Sequence, residues 1–143
     1  MDLVGFATKE DRVLDRFPGY AMIPCQDLDR ARSWYEEKLS LKPAEEAPEG
    51  LRYESGGTTT FMLFTSTGQP SGTHTQFGWD VDDLDSVVSE LKANGVVFEE
   101  YDMPGFKTVN SIAEIEGERG AWFKDSEGNL LAIGEQMLSR SSE

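Results

Sequence analysis

The sequence predicts an α+β domain in which one strand–helix–strand unit is used twice. Three observations carry this reading. The tripeptide Asp27-Leu28-Asp29 returns as Asp83-Leu84-Asp85, 56 positions later. Each copy opens a run whose apolar residues recur at three- and four-residue steps, the period of an amphipathic helix. Each run is preceded by one β-patterned stretch and followed by two or three more, separated by turn residues. At 143 residues the chain has room for one substantial core and not for two independent ones, so a single domain is expected over residues 1–143.

Residues 1–18 read as an N-terminal extension. They carry Asp2, Lys9, Glu10, Asp11, Arg12, Asp15 and Arg16 and hold no apolar run suited to a secretory leader. Module one spans about residues 19–66. Its first strand covers 20–25 and its helix 27–39, where Leu28, Ala31, Trp34, Tyr35 and Leu39 share a face. Asp27 and Asp83 suit helix starts, because a carboxylate accepts from unpaired N–H groups and complements the positive end of the dipole. That structural role outweighs a catalytic one. Stretches 51–55 and 58–65 enclose Gly56-Gly57 and read as a hairpin.

Residues 67–73 form the linker, and module two spans about 74–136. It opens with a strand over 76–81 and a helix from Leu84 to Asn94, with Leu84, Val87, Val88 and Leu91 on one face and Asn94-Gly95 as the stop. Strand-like stretches follow at 96–100, 108–115, 119–124 and 130–135. Pro104-Gly105 and Asp125-Ser126-Glu127-Gly128-Asn129 supply the turns. Each module must bury one sheet face under its helix, which leaves the other face to curve around something.

Charge and cysteine content narrow the partners. The 27 acidic against 13 basic side chains give a formal charge of −14, which serves solubility and repels phosphate backbones and anionic lipid. No nucleic-acid or membrane partner is expected. Cys25 is the only cysteine, so no intrachain disulfide forms, and a reducing, cytoplasmic location is expected. Its apolar surroundings read as those of a buried, unreactive thiol. No segment approaches the ~18 apolar residues of a membrane span.

Three stretches carry a resemblance. Asp27-Leu28-Asp29-Arg30-Ala31-Arg32-Ser33-Trp34-Tyr35 followed by Leu39 resembles the first strand–helix signature of the vicinal oxygen chelate (glyoxalase/bleomycin-resistance/dioxygenase) superfamily. Trp79-Asp80-Val81-Asp82-Asp83-Leu84-Asp85 resembles the second. Phe123-Lys124-Asp125-Ser126-Glu127-Gly128-Asn129-Leu130-Leu131 is similar to the closing hairpin, with Ser126 where proline is usual. The resemblance covers about residues 19–136. It implies two tandem βαβββ modules forming a cupped, partly closed β-barrel in a bacterial-type homodimer. The cup closes either within one chain or across the dimer. It is not specific for reaction, because the superfamily includes lyases, isomerases, ring-cleaving dioxygenases, thiol transferases and proteins that sequester antibiotics.

In the metalloenzymes of that superfamily, histidines and glutamates project into the cup from four strands. The resemblance maps those positions onto Tyr20, Gln76, Ala132 and one apolar residue within 61–64, whose register stays open. A phenol, an amide, a methyl group and an apolar side chain are not the imidazole and carboxylate donors a divalent ion needs, so neither metal nor cofactor is expected. His74, the one histidine, follows the loop-like Ser71-Gly72-Thr73 and reads as a surface or strand-end residue.

Strand alternation sorts the remaining candidates. If Phe77, Trp79 and Val81 face the helix, then Gln76, Gly78 and Asp80 face the cup, as Tyr20, Met22 and Pro24 do opposite Ala21, Ile23 and Cys25. The expected ligand-binding set is therefore Tyr20, Met22, Gln76, Gly78, Asp80 and Ala132. Asp80 reads equally well as a strand-end carboxylate. The run Glu99, Glu100, Tyr101 and Asp102 reads as a solvated edge, with Phe106 a candidate lid. Trp34, Trp79 and Trp122 read as core or dimer contacts. The function expected is metal-free binding of a small apolar or aromatic molecule, as in sequestration of a natural product or drug. The alternative is a metal-independent isomerase or lyase, with Asp80 or Glu114 as base beside Tyr20. A purely structural dimer module is the third option.

Overall fold

Asp27 and Asp83 both act as helix caps. The Asp27 carboxylate accepts the Arg30 N–H at 3.0 Å and opens helix α1 (Leu28–Leu39). Asp83 accepts the Ser86 N–H at 3.2 Å and opens α2 (Leu84–Ala93). The structure is a computed structural model that describes residues 12–138. Its strands are β1 (Ala21–Cys25), β2 (Glu45–Ala47), β3 (Gly50–Ser55), β4 (Thr59–Thr65), β5 (Thr75–Val81), β6 (Asp102–Met103), β7 (Phe106–Val109), β8 (Ile112–Ile115), β9 (Glu118–Lys124) and β10 (Leu130–Glu135).

The strands form two sheets, ordered β1-β4-β3-β2 and β5-β10-β9-β8-β7-β6. In each, the strand before the helix pairs parallel with the last strand of its module. The remaining strand pairs are antiparallel. The chain is thus an α+β fold of two βαβββ modules. The expected barrel does not close: the sheets share no ladder among the described residues, and each remains open.

The modules join through their helix-bearing faces. Phe61 of β4 meets Phe77 of β5 at 4.9 Å between ring centroids, and Trp34 of α1 stacks on Phe123 of β9 at 6.2 Å. The Trp79 indole N–H reaches the Ser55 hydroxyl at 3.1 Å. Ile23, Leu63, Leu131 and Ile133 complete the core, and burial pushes the Cys25 thiol up to about 12, helped by Asp125 and Glu127. Because side chains alternate across a strand, the faces bearing Met22 and Met62 on one sheet and Gly78 and Ala132 on the other point away from this seam.

The turn at 125–129 ties the modules together. Asp125 accepts from the backbone N–H of Glu127 and Asn129 and from the Tyr35 hydroxyl at 2.7 Å. Glu127, fully buried, accepts from the backbone of Gln26 and Asp27 and from both arms of the Arg30 guanidinium. Burial alone would raise its pKa, but these donors outweigh it and hold the carboxyl down at about 2.

Three expectations about elements need correction. Residues 96–100 are not a strand: Phe98 makes one isolated bridge to Phe123, and Glu99 N–H donates to the Trp122 carbonyl, so no ladder extends from there. Residues 108–115 are two strands, because Asn110 and Ser111 both turn left-handed, at φ 53° and 77°. Glu100 is exposed, as expected, and also holds that turn, accepting from the Thr108 and Ser111 hydroxyls. Strand β2, with the sequence Glu-Glu-Ala, lacks β patterning and went unpredicted. Of the N-terminal extension, residues 1–11 lie outside the described residues, and Leu14–Arg16 form one exposed 3₁₀ turn. No described helix is long and apolar enough to cross a membrane.

Candidate functional site

A cavity of about 370 Å³ lies on the outer face of the second sheet. Its floor comes from residues with little or no side chain on four adjacent strands: Gly78, Ala132, Gly134, Gly120 and Ala113. The register places them side by side, with Gly78 opposite Ala132, Ala132 opposite Trp122, and Gly134 opposite Gly120. Trp122 and Phe106 form one wall, edge to face at 5.3 Å, with Tyr101 packed behind them. Met137 and Leu138 form the other. A flat apolar floor between aromatic and aliphatic walls suits a small organic molecule that stacks on rings and sheds water.

Three of the six residues expected to bind ligand line this cavity, namely Gly78, Asp80 and Ala132. Tyr20 and Met22 do not join them. Met22 lies on the outer face of the first sheet and Tyr20 just before β1, 49% and 58% exposed. Gln76 falls at a bulge in the β5–β10 ladder and leaves its side-chain oxygen buried without a partner, outside the cavity lining. Within one chain the cavity is therefore not between the modules. The space there is a narrower apolar cleft of about 230 Å³ under Trp79, Val87 and Leu91.

The candidate base set is dispersed as well. Glu114 lines a different groove, with Lys92 and Lys107, because alternation along β8 sends Ala113 and Ile115 to the cavity and Glu114 away. Asp80 lines the cavity, but its two oxygens accept the backbone N–H groups of Met137 and Leu138. Phe106 pairs with Met103 across the Pro104-Gly105 turn, at the tip of the β6–β7 hairpin, and stands in one wall of the cavity. Trp122, expected as a core or dimer contact in preference to a stacking residue, lines the cavity, because the alternation that buries Ala121 and Phe123 places it beside Ala132.

The positions that would hold a metal in this fold do not fit one. Tyr20 offers an exposed phenol, Gln76 one amide oxygen and Ala132 no donor. On β4, Phe61 and Leu63 are buried inward, leaving Met62 or Phe64 as the fourth. Hard and borderline divalent cations have no ligand set there. Among the described residues, no three His, Cys, Asp or Glu side chains gather as ligands. His74 is exposed, with its ring Nδ1 2.7 Å from the Ser71 hydroxyl.

Comparisons with known proteins fit this architecture. A family model described as Glyoxalase/Bleomycin resistance protein/Dioxygenase superfamily matches residues 18–133. Among solved structures, the chain is similar to a glyoxalase/bleomycin resistance protein/dioxygenase from Alicyclobacillus acidocaldarius, at 21% identity and TM-score 0.68 over 89% of this chain and 96% of that one. It is similar to a bleomycin-binding protein complexed with bleomycin, at 18% identity and TM-score 0.63 over 83% and 98%. It is also similar to the fosfomycin resistance protein FosX from Listeria monocytogenes, at 12% identity and TM-score 0.64 over 86% and 95%. No curated protein matches the sequence significantly.

Proposed function

The chain belongs to the glyoxalase/bleomycin resistance protein/dioxygenase superfamily, and on that premise we propose that it binds a small apolar or aromatic organic molecule, without a metal, in the cavity on the outer face of the second sheet. One observation carries the reading: five glycine and alanine positions open a floor between Trp122 and Met137, where longer side chains would close it. The bleomycin-bound relative lends the fold a precedent for holding a drug. Sequestration of a natural product or drug in the cytoplasm is the role that fits. The acidic charge keeps nucleic acid and anionic membranes out of the partner list.

A homodimer belongs to the same proposal. Met22 on the first sheet's outer face and Tyr20 just before β1 are exposed large side chains, and a second copy laid across them would bring these residues toward a cavity they do not reach within their own chain. The isomerase or lyase alternative has less support, since Asp80 is engaged by backbone N–H groups and Glu114 and Tyr20 lie on other faces. Native mass spectrometry of freshly purified protein tests the whole reading. The expected spectrum is a metal-free dimer that retains or takes up an organic molecule. A stoichiometric transition metal, or turnover of a compound that binds, would replace the reading with an enzymatic one.

A further inference from the structure

The cavity has one wall unlike the others. The floor and the aromatic wall belong to paired strands, whereas Met137 and Leu138 lie just past the end of β10. Gln136 turns left-handed at φ 52°, with its N–H on the Val81 carbonyl at 2.8 Å, and this reversal folds the following residues back over the outer face. Both of those residues then hang on one exposed side chain: Asp80 accepts the Met137 N–H through one oxygen and the Leu138 N–H through the other, at 3.2 Å. Leu138 stays 79% exposed, so its burial adds little to the attachment, whereas Met137, 40% exposed, is held also by its contact with the floor.

The Met137 side chain in turn rests on the floor. A Cβ added at Gly134 would lie 2.7 Å from Met137 Cγ, so this residue must be glycine for the methionine to lie there. Methionine is unbranched and adaptable, able to fill a gap and to leave it at small cost.

We propose that Asp80 is a latch: it holds residues 137–138 as a movable wall, and Met137 occupies the Gly134 floor until a ligand displaces it. The proposal rests on the small-molecule reading of the cavity and adds how that cavity opens and what sets its size. Two hydrogen bonds to an exposed carboxylate are weak enough to break on each binding event and strong enough to bias the wall shut.

Nile red, a neutral aromatic dye that brightens in apolar surroundings, is the probe. Hydrogen exchange should show protected Met137 and Leu138 amides in the wild type and unprotected ones in Asp80→Ala, with β5 and β10 unchanged. Asp80→Asn keeps an acceptor oxygen and should fall between. Stopped-flow mixing with Nile red should give association and dissociation rates that both rise in Asp80→Ala, each roughly tenfold, while affinity changes less than either rate. Met137→Ala should bind the dye more tightly. Unchanged rates, or a change in dissociation alone, would overturn the latch and leave the cavity standing as a fixed site. If Nile red fails to bind the wild type, or binds Trp122→Ala equally well, the cavity reading falls and takes the latch with it.

Discussion

The two modules share a frame and differ at the same register positions. Met22 lies five residues before the cap Asp27 and pairs with Met62; Gly78 lies five before the cap Asp83 and pairs with Ala132. Two steps on, Pro24 pairs with Phe64 in the first module, and Asp80 pairs with Gly134 in the second. The frame is set by the caps, the helix faces and the inward strand residues, which the duplication repeats. The cavity on the second outer face goes with small residues there, Gly78, Ala132 and Gly134 against Met22, Met62 and Phe64 in the first module. Gly120, Ala113 and the Trp122–Phe106 wall complete it, and all of these lie outside the core cluster. Fold and site are therefore separable, residue by residue, along the same strands.

The largest expected effect is on the frame. Trp79 alternates with Gly78 and Asp80 but points to the seam, against Phe77, Phe123 and the Ser55 hydroxyl. Trp79→Ala should cost about 3 kcal/mol in denaturant unfolding. A loss below about 1 kcal/mol would mean that the inner and outer faces have been exchanged.

The clamp between the modules comes next. Glu127→Gln removes one acceptor oxygen and turns an NH2 toward donors that already converge there, so about 2 kcal/mol of stability should be lost. The wild-type carboxyl has a folded pKa near 2 against an ordinary 4.5. Its folded value is depressed, so its contribution is complete above about 4.5 and falls away as pH drops toward 2. Unfolding curves across that window should show the wild type losing stability faster than Glu127→Gln. Parallel curves would remove the ion pair from the account.

The sequence made the frame legible because its determinants are local and repeated: an aspartate cap, a helical period and an alternating strand. The site was half legible. Alternation put Gly78, Asp80 and Ala132 on one surface, and the same rule applied to residues 120–123 would have added Trp122 and Gly120. Alternation within a strand says nothing about which sheet faces which, so Tyr20 and Met22 were grouped with residues on a surface pointing elsewhere. Glu100, read as a solvated charge, holds a turn through Ser111, a contact no periodicity foretells. Met137 reaches the floor only because Gln136 reverses the chain, a backbone event without a sequence signature.

Exchanging outer faces sharpens the comparison further. Gly78→Met with Ala132→Met gives the second module the pair of the first. A Cβ on Gly78 would lie 3.3 Å from the Ala132 carbonyl oxygen, so the neighbouring strand must yield by only a few tenths of an ångström. Nile red affinity should fall by at least about tenfold, with stability within about 1 kcal/mol of wild type. Retained affinity would show that the dye sits elsewhere, the cleft under Trp79 being the first place to look.

The reverse exchange should do least to the folded chain. Met22 is half exposed and its partner Met62 partly so, and Met22→Ala with Met62→Ala removes atoms that bury little apolar area within the chain. Unfolding of the monomer should shift by less than about 1 kcal/mol. No dye site should open either, because Phe64 and Arg52 still fill the adjoining positions and no aromatic wall stands where Trp122 and Phe106 stand in the second module. What should change is association. If a second copy covers this face, as proposed, the truncated side chains belong to its contact surface, and sedimentation velocity should show the variant dissociating at concentrations where the wild type remains dimeric. An unchanged dimer would move the interface off the first module's outer face, and Tyr20 would lose its last route to the cavity.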